Sequence, residues 1–260
     1  MSKKVSIIML TFNGETYLRE AIDSCLNQTY ANTEVNIIDD CSADGTIEIL
    51  KSYGDKISVI YNEINQGSTV NINKLGLSVK SDFIVFLGHD DKLPPDHVEQ
   101  MLSEFDNDTV IVHCGSIIID GKGKEFEAKK ADEIEFKKAN NSMFELSIDN
   151  FINAIGSMHR TETFQKVNGW DDEYKHYGEW TLYIKLLELG KLKYTNKTKS
   201  YYRVHATNIS KTLSQSNMKN SLAEFKSQAR YKAHILNNNS FIENIKFYLN
   251  EIKIFIKSCR

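Results

Sequence analysis

The sequence predicts an α/β fold, in which helices flank a mostly parallel central sheet and a helical extension follows at the carboxyl end. In the first half of the chain, short apolar runs rich in β-branched residues alternate with segments whose apolar residues recur at helical spacing. This alternation is typical of βαβ units, because parallel strands need a crossover connection. From Gln215 onward the pattern is mostly helical, in two segments divided by residues 237–240.

The first 96 residues show the most regular alternation. The segment 42–54 has clear helix signals, because it opens with cap-forming residues and ends at Gly54. Strands are predicted at 5–12, 35–38, 57–61 and 83–87, and helices within 14–28, 42–54 and 67–80.

The pattern is less regular after residue 96. The segment 179–190 is the clearest element there, because it is amphipathic and ends at Gly190. Strands are predicted at 110–113 and 116–119, a loop or hairpin over 121–141, and helices at 161–167 and 179–190.

The composition indicates a globular protein with one large domain or two small ones. Apolar residues make up 41% of the chain and charged residues 26%, which disfavours disorder. No run is long enough for a transmembrane helix, and the first residues become polar too soon for a secretory signal. The four cysteines show neither disulfide nor metal-ligand spacing. These observations predict a cytoplasmic protein.

The net charge of −3 conceals a strongly basic carboxyl-terminal quarter. Residues 191–260 contain 14 Lys or Arg against 3 Asp or Glu. This excess predicts attraction to phosphates or to an acidic membrane surface. The alternative is a charged helical surface that faces solvent.

Pairs of aspartates follow two of the predicted strands. Asp39 and Asp40 follow the second strand, and Asp90 and Asp91 follow the fourth. Because the carboxyl ends of parallel strands meet at one edge of a sheet, we expect the four carboxylates to converge there. They could hold Mg²⁺ or Mn²⁺ against a diphosphate, or they could be solvated turn and cap residues. A dinucleotide site is disfavoured, because no Gly-rich phosphate loop accompanies them.

Five segments, in this order and spacing, carry a resemblance to a known family. Their most recognisable parts are IIDDCSADGT, FLGHDD, SMHRTETFQKVNGWDDEY, HYGEWTLYIKLLELG and YYRVH. Over about residues 4–210 the chain resembles family 2 glycosyltransferases, which have the GT-A fold. The resemblance implies a nucleotide-sugar half at 1–96, an acceptor and catalytic half at 97–212, and a basic helical extension at 213–260.

The resemblance implies a nucleotide pocket in the first half. The first loop would line the base, Asp40 would accept a hydrogen bond from uracil, and the segment that opens the third helix would border the base and ribose. The residues that match these positions or the diphosphate motif are Thr11, Phe12, Asn13, Glu15, Asp40, Gly67, Asn73 and Asp90.

The resemblance also implies a divalent metal, Mn²⁺ or Mg²⁺, as cofactor. Asp90 and Asp91 match the family's metal motif, and His205 matches a histidine near the diphosphate. The motif usually begins with an aspartate at the position of Gly88, so the metal would depend on the remaining ligands. His205 could instead be an ordinary surface residue.

Glu179 stands where the family has its catalytic base, although that base is usually aspartate. A carboxylate at this position would deprotonate the acceptor hydroxyl, and a single displacement would invert the anomeric carbon. The alternative is an acidic residue that stabilises the start of a helix.

Two residues are predicted to contact the acceptor. Trp180, beside the expected base, could stack on a sugar face, whereas Trp170 is expected in the core. His89 could contact the acceptor or only fill its turn.

The last segment predicts a basic amphipathic helix. Its apolar stripe could lie on a membrane, pack on the catalytic domain, or pair with a second copy in a homodimer. The stripe consists of Ile242, Ile245, Leu249, Ile252 and Ile256.

Together these features predict an inverting, metal-dependent transferase. It would move a sugar from a UDP-sugar to a saccharide or lipid-linked saccharide during synthesis of a bacterial surface polysaccharide. It would act in the cytoplasm. It could also lie peripherally on the inner face of the membrane. No nucleic-acid partner is expected. The alternatives are a nucleotide-sugar-binding module with impaired catalysis and a nucleotidyltransferase.

Overall fold

The computed structural model describes residues 2–126, 132–171, 178–206, 208, 245–249 and 252. Most of these residues belong to strands or helices that alternate along the chain. The strands are β1 (Val5–Thr11), β2 (Thr33–Asp39), β3 (Ser58–Tyr61), β4 (Phe83–Gly88), β5 (Thr109–Asp120), β6 (Met158–Arg160) and β7 (Lys191–Val204). The helices are α1 (Leu18–Leu26), α2 (Thr46–Ser52), α3 (Ser68–Ser78), α4 (His97–Leu102), α5 (Asp132–Asn140), α6 (Ser142–Leu146), α7 (Thr161–Lys166) and α8 (Gly178–Leu187).

The strands form one sheet in the order β3-β2-β1-β4-β6-β5-β7. β1 pairs in parallel with both β2 and β4, and β5 pairs in parallel with β7. β6 runs antiparallel between β4 and β5, so it alone among these strands points the other way. The predicted α/β fold with a mostly parallel central sheet is therefore confirmed.

Apolar side chains fill both faces of the sheet, as expected for parallel strands that helices cover on two sides. Successive side chains of β1 point to opposite faces. Ile8 joins a cluster with residues of α3, α7 and α8. Ile7 and Met9 join another with α1, α2 and α4. Full burial of each such side chain stabilises the fold by about 1.5–3 kcal/mol.

The chain order of the strands places a crevice between β1 and β4. From β1 the chain builds β2 and β3 outward on one side, and it then returns to the other side for β4. Open α/β sheets bind ligands beyond the carboxyl ends of the strands at such a switch point. Both aspartate pairs lie at this edge, as the sequence predicts.

Two predictions about the second half need correction, and one strand was missed. The two short strands predicted at 110–119 are one strand, β5, with an irregular register between Cys114 and Gly115. The loop predicted at 121–141 contains helix α5, whose mostly polar sequence has no clear apolar stripe. β7 was not predicted, because lysines and polar residues hide its alternation of buried and exposed positions.

The carboxyl-terminal extension lies mostly outside the described residues. Residues 245–249 are helical, and Phe247 is buried among them. Ile245, Leu249 and Ile252 of the predicted stripe are exposed by 43%, 53% and 54%. Ile242 and Ile256 lie outside the described residues. In the part of the chain that the structure describes, no helix is both long enough and apolar enough to span a membrane.

Candidate active site

Asp40 organises the loop that precedes α3. Its Oδ1 atom accepts hydrogen bonds from the Gln66 amide at 2.8 Å and from Asn62 Nδ2 at 3.0 Å. Its Oδ2 atom accepts one from the Gly67 amide at 2.9 Å. Burial alone would raise the pKa of Asp40, but these hydrogen bonds outweigh it and hold the pKa below its usual value. The carboxylate is therefore ionised at neutral pH.

Gly67 is required by the shape of this loop. Its φ angle of +85° lies in the left-handed region, which residues with a Cβ rarely adopt. The structure thus brings Asp40 and Gly67 together, as the resemblance implies.

The first loop is fixed against the loop that follows β2. Asn13 Oδ1 accepts a hydrogen bond from the Ala43 amide at 2.9 Å, and Glu15 Oε2 accepts one from the Gly45 amide at 2.8 Å. Phe12 is 46% exposed at the tip. Phe12 therefore presents an apolar ring near Asp40, whereas Asn13 and Glu15 hold the two loops together.

Thr11 and His89 pack beside the first loop. Thr11 is buried, and its hydroxyl has no hydrogen-bond partner among the described residues. His89 lies 3.3 Å from the Leu10 carbonyl oxygen through Nδ1. A Cβ on Gly14 would lie 2.8 Å from the His89 ring, so the two are in close contact. His89 therefore packs in its turn while staying partly exposed, and its predicted acceptor contact stays a prediction.

Asn73 has a role that the sequence did not predict. Its Nδ2 atom donates to the Trp170 carbonyl oxygen at 2.9 Å, and its Oδ1 atom accepts from the Trp170 amide at 2.8 Å. The side-chain amide therefore fixes Trp170, and the predicted nucleotide contact of Asn73 stays a prediction.

The second aspartate pair lies at the end of β4. Asp91 is buried, and its Oδ1 atom accepts a hydrogen bond from the Arg203 amide at 2.9 Å. Burial and the negative charge of Asp90 raise the pKa of Asp91 to about 8. A Cβ on Gly88 would lie 2.8 Å from Asp90 Oδ1 and 3.0 Å from Asp91 Oδ2. Glycine at position 88 therefore leaves room for the two carboxylates.

The structure also joins His205 to this pair. Its Nε2 atom lies 3.0 Å from Asp90 Oδ2, to which Asn208 Nδ2 also donates at 3.3 Å. Carboxylate oxygens and an imidazole nitrogen suit Mn²⁺ or Mg²⁺ in kind, and a cation would relieve the repulsion that raises the pKa of Asp91. Among the described residues, however, no three such side chains already converge as metal ligands.

Arg203 is a central residue that the sequence analysis missed. Its buried guanidinium donates to the Asp90 carbonyl oxygen at 2.8 Å and to the Asp120 carbonyl oxygen at 3.1 Å. It also pairs with Glu20 and lies over the Tyr17 ring at 4.6 Å. The sequence does offer a signal for Arg203. It is an arginine within a stretch of alternating buried and exposed positions, and it stands two residues before His205, a predicted site residue.

A largely apolar cavity of about 210 Å³ lies at the carboxyl ends of β1 and β4. We call it the Trp170 cavity, and its lining includes Leu10, Phe86, Gly88, Asp91, Ile155 and Trp170. Trp170 is half-buried there, and its indole Nε1 has no hydrogen-bond partner among the described residues.

Trp180 is more buried than predicted, whereas Trp170 packs against the core, as predicted, and also lines the cavity. Trp180 is only 2% exposed, and its Nε1 atom donates to the Leu146 carbonyl oxygen at 3.1 Å. It belongs to the core and has no free face for a sugar. Trp170, expected in the core, forms a wall of the cavity beside Asp91.

Glu179 is half-buried in the first turn of α8. Burial raises its pKa to about 7, although a hydrogen bond from Asn150 Nδ2 to Glu179 Oε1 at 3.1 Å opposes the shift. A Cβ on Gly178 would lie 3.2 Å from Trp170 Cβ, so the start of the helix packs on the cavity wall. The carboxyl group therefore titrates near neutral pH.

Comparison with known proteins identifies the family. Residues 6–164 match the family described as Glycosyl transferase family 2. An uncharacterized glycosyltransferase of Rickettsia prowazekii is 34% identical over 215 residues, which cover 81% of this chain and 67% of that protein. The chain belongs to glycosyltransferase family 2. TuaG of Bacillus subtilis, whose name assigns it to teichuronic acid biosynthesis, is 37% identical over 101 residues, covering 38% of this chain and 40% of its own.

Two solved structures share the fold of this family 2 glycosyltransferase. S. aureus TarS in complex with UDP-GlcNAc aligns with a TM-score of 0.72 and 17% identity, over 94% of this chain and 70% of its own. The mannosyltransferase PcManGT of Pyrobaculum calidifontis, in complex with GDP-Man and Mn²⁺, aligns with a TM-score of 0.64 and 12% identity, over 98% and 81%. At these identities the likeness supports the GT-A fold alone.

Proposed function

We propose that this protein transfers a sugar from a UDP-sugar to a hydroxyl group of a saccharide or lipid-linked saccharide, with inversion at the anomeric carbon. The observation that carries the proposal is Glu179, a carboxyl group with a pKa of about 7 in the first turn of α8, where the preceding residue, Gly178, packs against Trp170 of the cavity wall. A base whose pKa is close to the working pH is suited to accept a proton from an attacking hydroxyl.

In the proposed reaction, Glu179 accepts the hydroxyl proton as the acceptor oxygen bonds to the anomeric carbon. The bond from that carbon to the diphosphate breaks, and the diphosphate leaves with the electron pair. The base and the leaving group are on opposite faces of the sugar, so one displacement inverts the anomeric configuration. The Trp170 cavity would hold the donor sugar, with Asp91 at its diphosphate end.

Asp40 is the proposed uracil ligand. An ionised carboxylate can accept hydrogen bonds at about four positions, and the protein uses three of them. The remaining position suits the N–H group of uracil. The S. aureus TarS structure with UDP-GlcNAc is consistent with a UDP-sugar donor, whereas PcManGT binds GDP-Man.

The proposed cofactor is Mn²⁺ or Mg²⁺, held by Asp90, Asp91 and His205. When bound, the cation would neutralise charge on the departing diphosphate. The carboxylate and imidazole ligand types support this assignment, and PcManGT was crystallised with Mn²⁺.

We also propose a place in bacterial surface polysaccharide synthesis in the cytoplasm, with the carboxyl-terminal extension in peripheral contact with the membrane. The similarity to TuaG supports the pathway class. The exposed apolar residues of the extension and its basic charge support the membrane contact.

The proposal is tested by incubating the protein with UDP-glucose, UDP-galactose, UDP-GlcNAc and UDP-GalNAc in the presence of Mn²⁺ and a set of saccharide acceptors, such as the methyl glycosides of the same four sugars. We expect UDP release from at least one donor, and loss of that activity with EDTA. Binding of a UDP-sugar without turnover would instead favour a module with impaired catalysis. Pyrophosphate release from UTP and a sugar phosphate would favour a nucleotidyltransferase.

A further inference from the structure

A second cavity, of about 320 Å³, lies against β5 and β7. We call it the His113 cavity. It lies where the pairing of β5 with β7 jumps, from Thr195 opposite Cys114 to Lys199 opposite Gly115. Its lining includes His113, Ser116, Glu135, Phe151, Asn153 and Tyr194. None of these residues has a role in the function proposed above.

His113 provides the main chemical signal in this cavity. It is 1% exposed, and neither ring nitrogen has a hydrogen-bond partner among the described residues. Burial, assisted by the charge of Lys138, lowers the pKa of His113 to about 3, so the ring is neutral. A neutral imidazole offers one N–H donor and one nitrogen acceptor. Because buried polar groups in native proteins are nearly always paired, a ligand hydroxyl group that bonds to one of these nitrogens would satisfy a group that the described residues leave unpaired.

The other walls combine polar atoms with aromatic rings. Glu135 Oε2 is also buried without a hydrogen-bond partner in the described structure, while its Oε1 accepts from Lys138 at 3.2 Å. The rings of Phe151 and Tyr194 lie 5.7 and 5.1 Å from the His113 ring. Apolar ring surfaces beside isolated donors and acceptors suit a sugar, which presents C–H groups and hydroxyls together. A carboxylate in the wall, that of Glu135, would repel an anionic ligand, so a neutral ligand is favoured.

Glu179 is connected to a wall of each cavity. Asn150 donates to Glu179, and the next residue, Phe151, lines the His113 cavity. The residue before Glu179, Gly178, packs on Trp170, which lines the Trp170 cavity. The hydrogen bond from Asn150 therefore joins the proposed base to the segment that forms the His113 cavity.

We propose that the His113 cavity binds a neutral glycosyl unit of the acceptor, with His113 as its hydrogen-bond partner. This inference rests on the function proposed above, because it assigns the acceptor of that reaction to the cavity whose wall includes Phe151, the residue after Asn150.

The first test uses the wild-type protein with labelled histidines. Methyl glycosides of glucose, galactose, GlcNAc and GalNAc are titrated while the histidine ring resonances are followed by NMR. The His113 signal is assigned by its loss in His113→Gln. We expect at least one glycoside to shift that signal saturably. If UDP binds but no glycoside shifts it, the inference fails and the proposed function stands. If UDP does not bind, the proposed function fails.

The second test separates a ligand site from a structural histidine. His113→Leu removes both unpartnered nitrogens, so a purely structural role predicts an unchanged or higher Tm and unchanged glycoside affinity. We expect glycoside affinity to fall at least about tenfold, whereas His113→Gln, which keeps a donor and an acceptor, should retain more of it. Equal affinity in the folded leucine variant would overturn the inference. Should that variant not fold, the wild-type titration still decides.

Discussion

Several effects act on Glu179 in opposite directions. Its position in the first turn of α8 favours the ionised form through the helix dipole. The hydrogen bond from Asn150 favours that form as well, whereas burial disfavours it and dominates. The resulting pKa of about 7 leaves the carboxyl group partly ionised at neutral pH, which a general base requires.

Replacement of Glu179 by glutamine tests the base directly. Glu179→Gln keeps the size of the side chain and its oxygen partner for Asn150, but it removes the proton acceptor. Transfer should fall by about 10²–10⁴-fold, while UDP-sugar affinity is retained, because the donor is held elsewhere. Rates and donor affinities are compared with those of Glu188→Gln, an exposed change after the same helix. Near-normal transfer by Glu179→Gln would move the search to Asp171.

The pKa of Glu179 also predicts a pH profile. The base is active when deprotonated, so kcat should be constant well above pH 7 and fall about tenfold per pH unit well below it. The profile is measured at saturating Mn²⁺ and UDP-sugar. The residual activity of Glu179→Gln should lack this limb. If kcat of Glu179→Gln falls with decreasing pH in the same way, the pH dependence belongs to another group.

Residue identity alone could not decide which polar or aromatic side chains reach the site. Trp180 lies beside the base in sequence, but the helical rotation from Glu179 turns it into the core. Trp170 reaches the cavity because Asn73, 97 positions earlier, holds its backbone. Such contacts are set by tertiary packing and leave no local pattern. Asp40, Asp90 and Asp91 could be predicted, because their position depends only on strand ends.

At the scale of the element, β7 connects the second half of the chain to the first. Its Arg203 amide binds Asp91, and its guanidinium binds the Asp90 and Asp120 carbonyl oxygens. The strands β1 to β4 could be predicted from continuous apolar runs between turn residues. β7 could not, because lysines occupy many of its exposed positions and its register depends on β5.

Arg203→Met should reveal how much this connection contributes. The change leaves two partly buried carbonyl oxygens without a donor, so the free energy of unfolding should fall by about 1–3 kcal/mol. Lys92→Met is the control, because Lys92 also pairs with Glu20 but at the surface, and it should cost less than about 1 kcal/mol. Both values come from urea unfolding. Equal small losses would show that the guanidinium adds little to the stability of the fold.

At the scale of the whole molecule, one sheet runs through both predicted halves. β1 to β4 come from the first predicted half and β5 to β7 from the second, so the two predicted halves share one sheet. The aspartate pairs lie on strand ends in the first half, and Glu179 begins a helix in the second. The described carboxyl-terminal residues add a short helix, anchored by buried Phe247.

This helix gives a prediction about membrane contact. Leu249 and Ile252 are three positions apart, so they share a helix face, and both are more than half exposed. Leu249→Ser with Ile252→Ser should weaken sedimentation with phosphatidylglycerol vesicles, while the free energy of unfolding changes by less than about 0.5 kcal/mol, because neither side chain is buried. Phe247→Ala is the control for packing, and it should lower that free energy by about 3–5 kcal/mol.

Vesicle binding by the wild type should also weaken as salt rises, because lysines and arginines dominate this quarter of the chain. Undiminished binding by the double serine variant would show that these apolar residues do not enter the membrane, and their exposure would then favour a second copy of the chain as the partner.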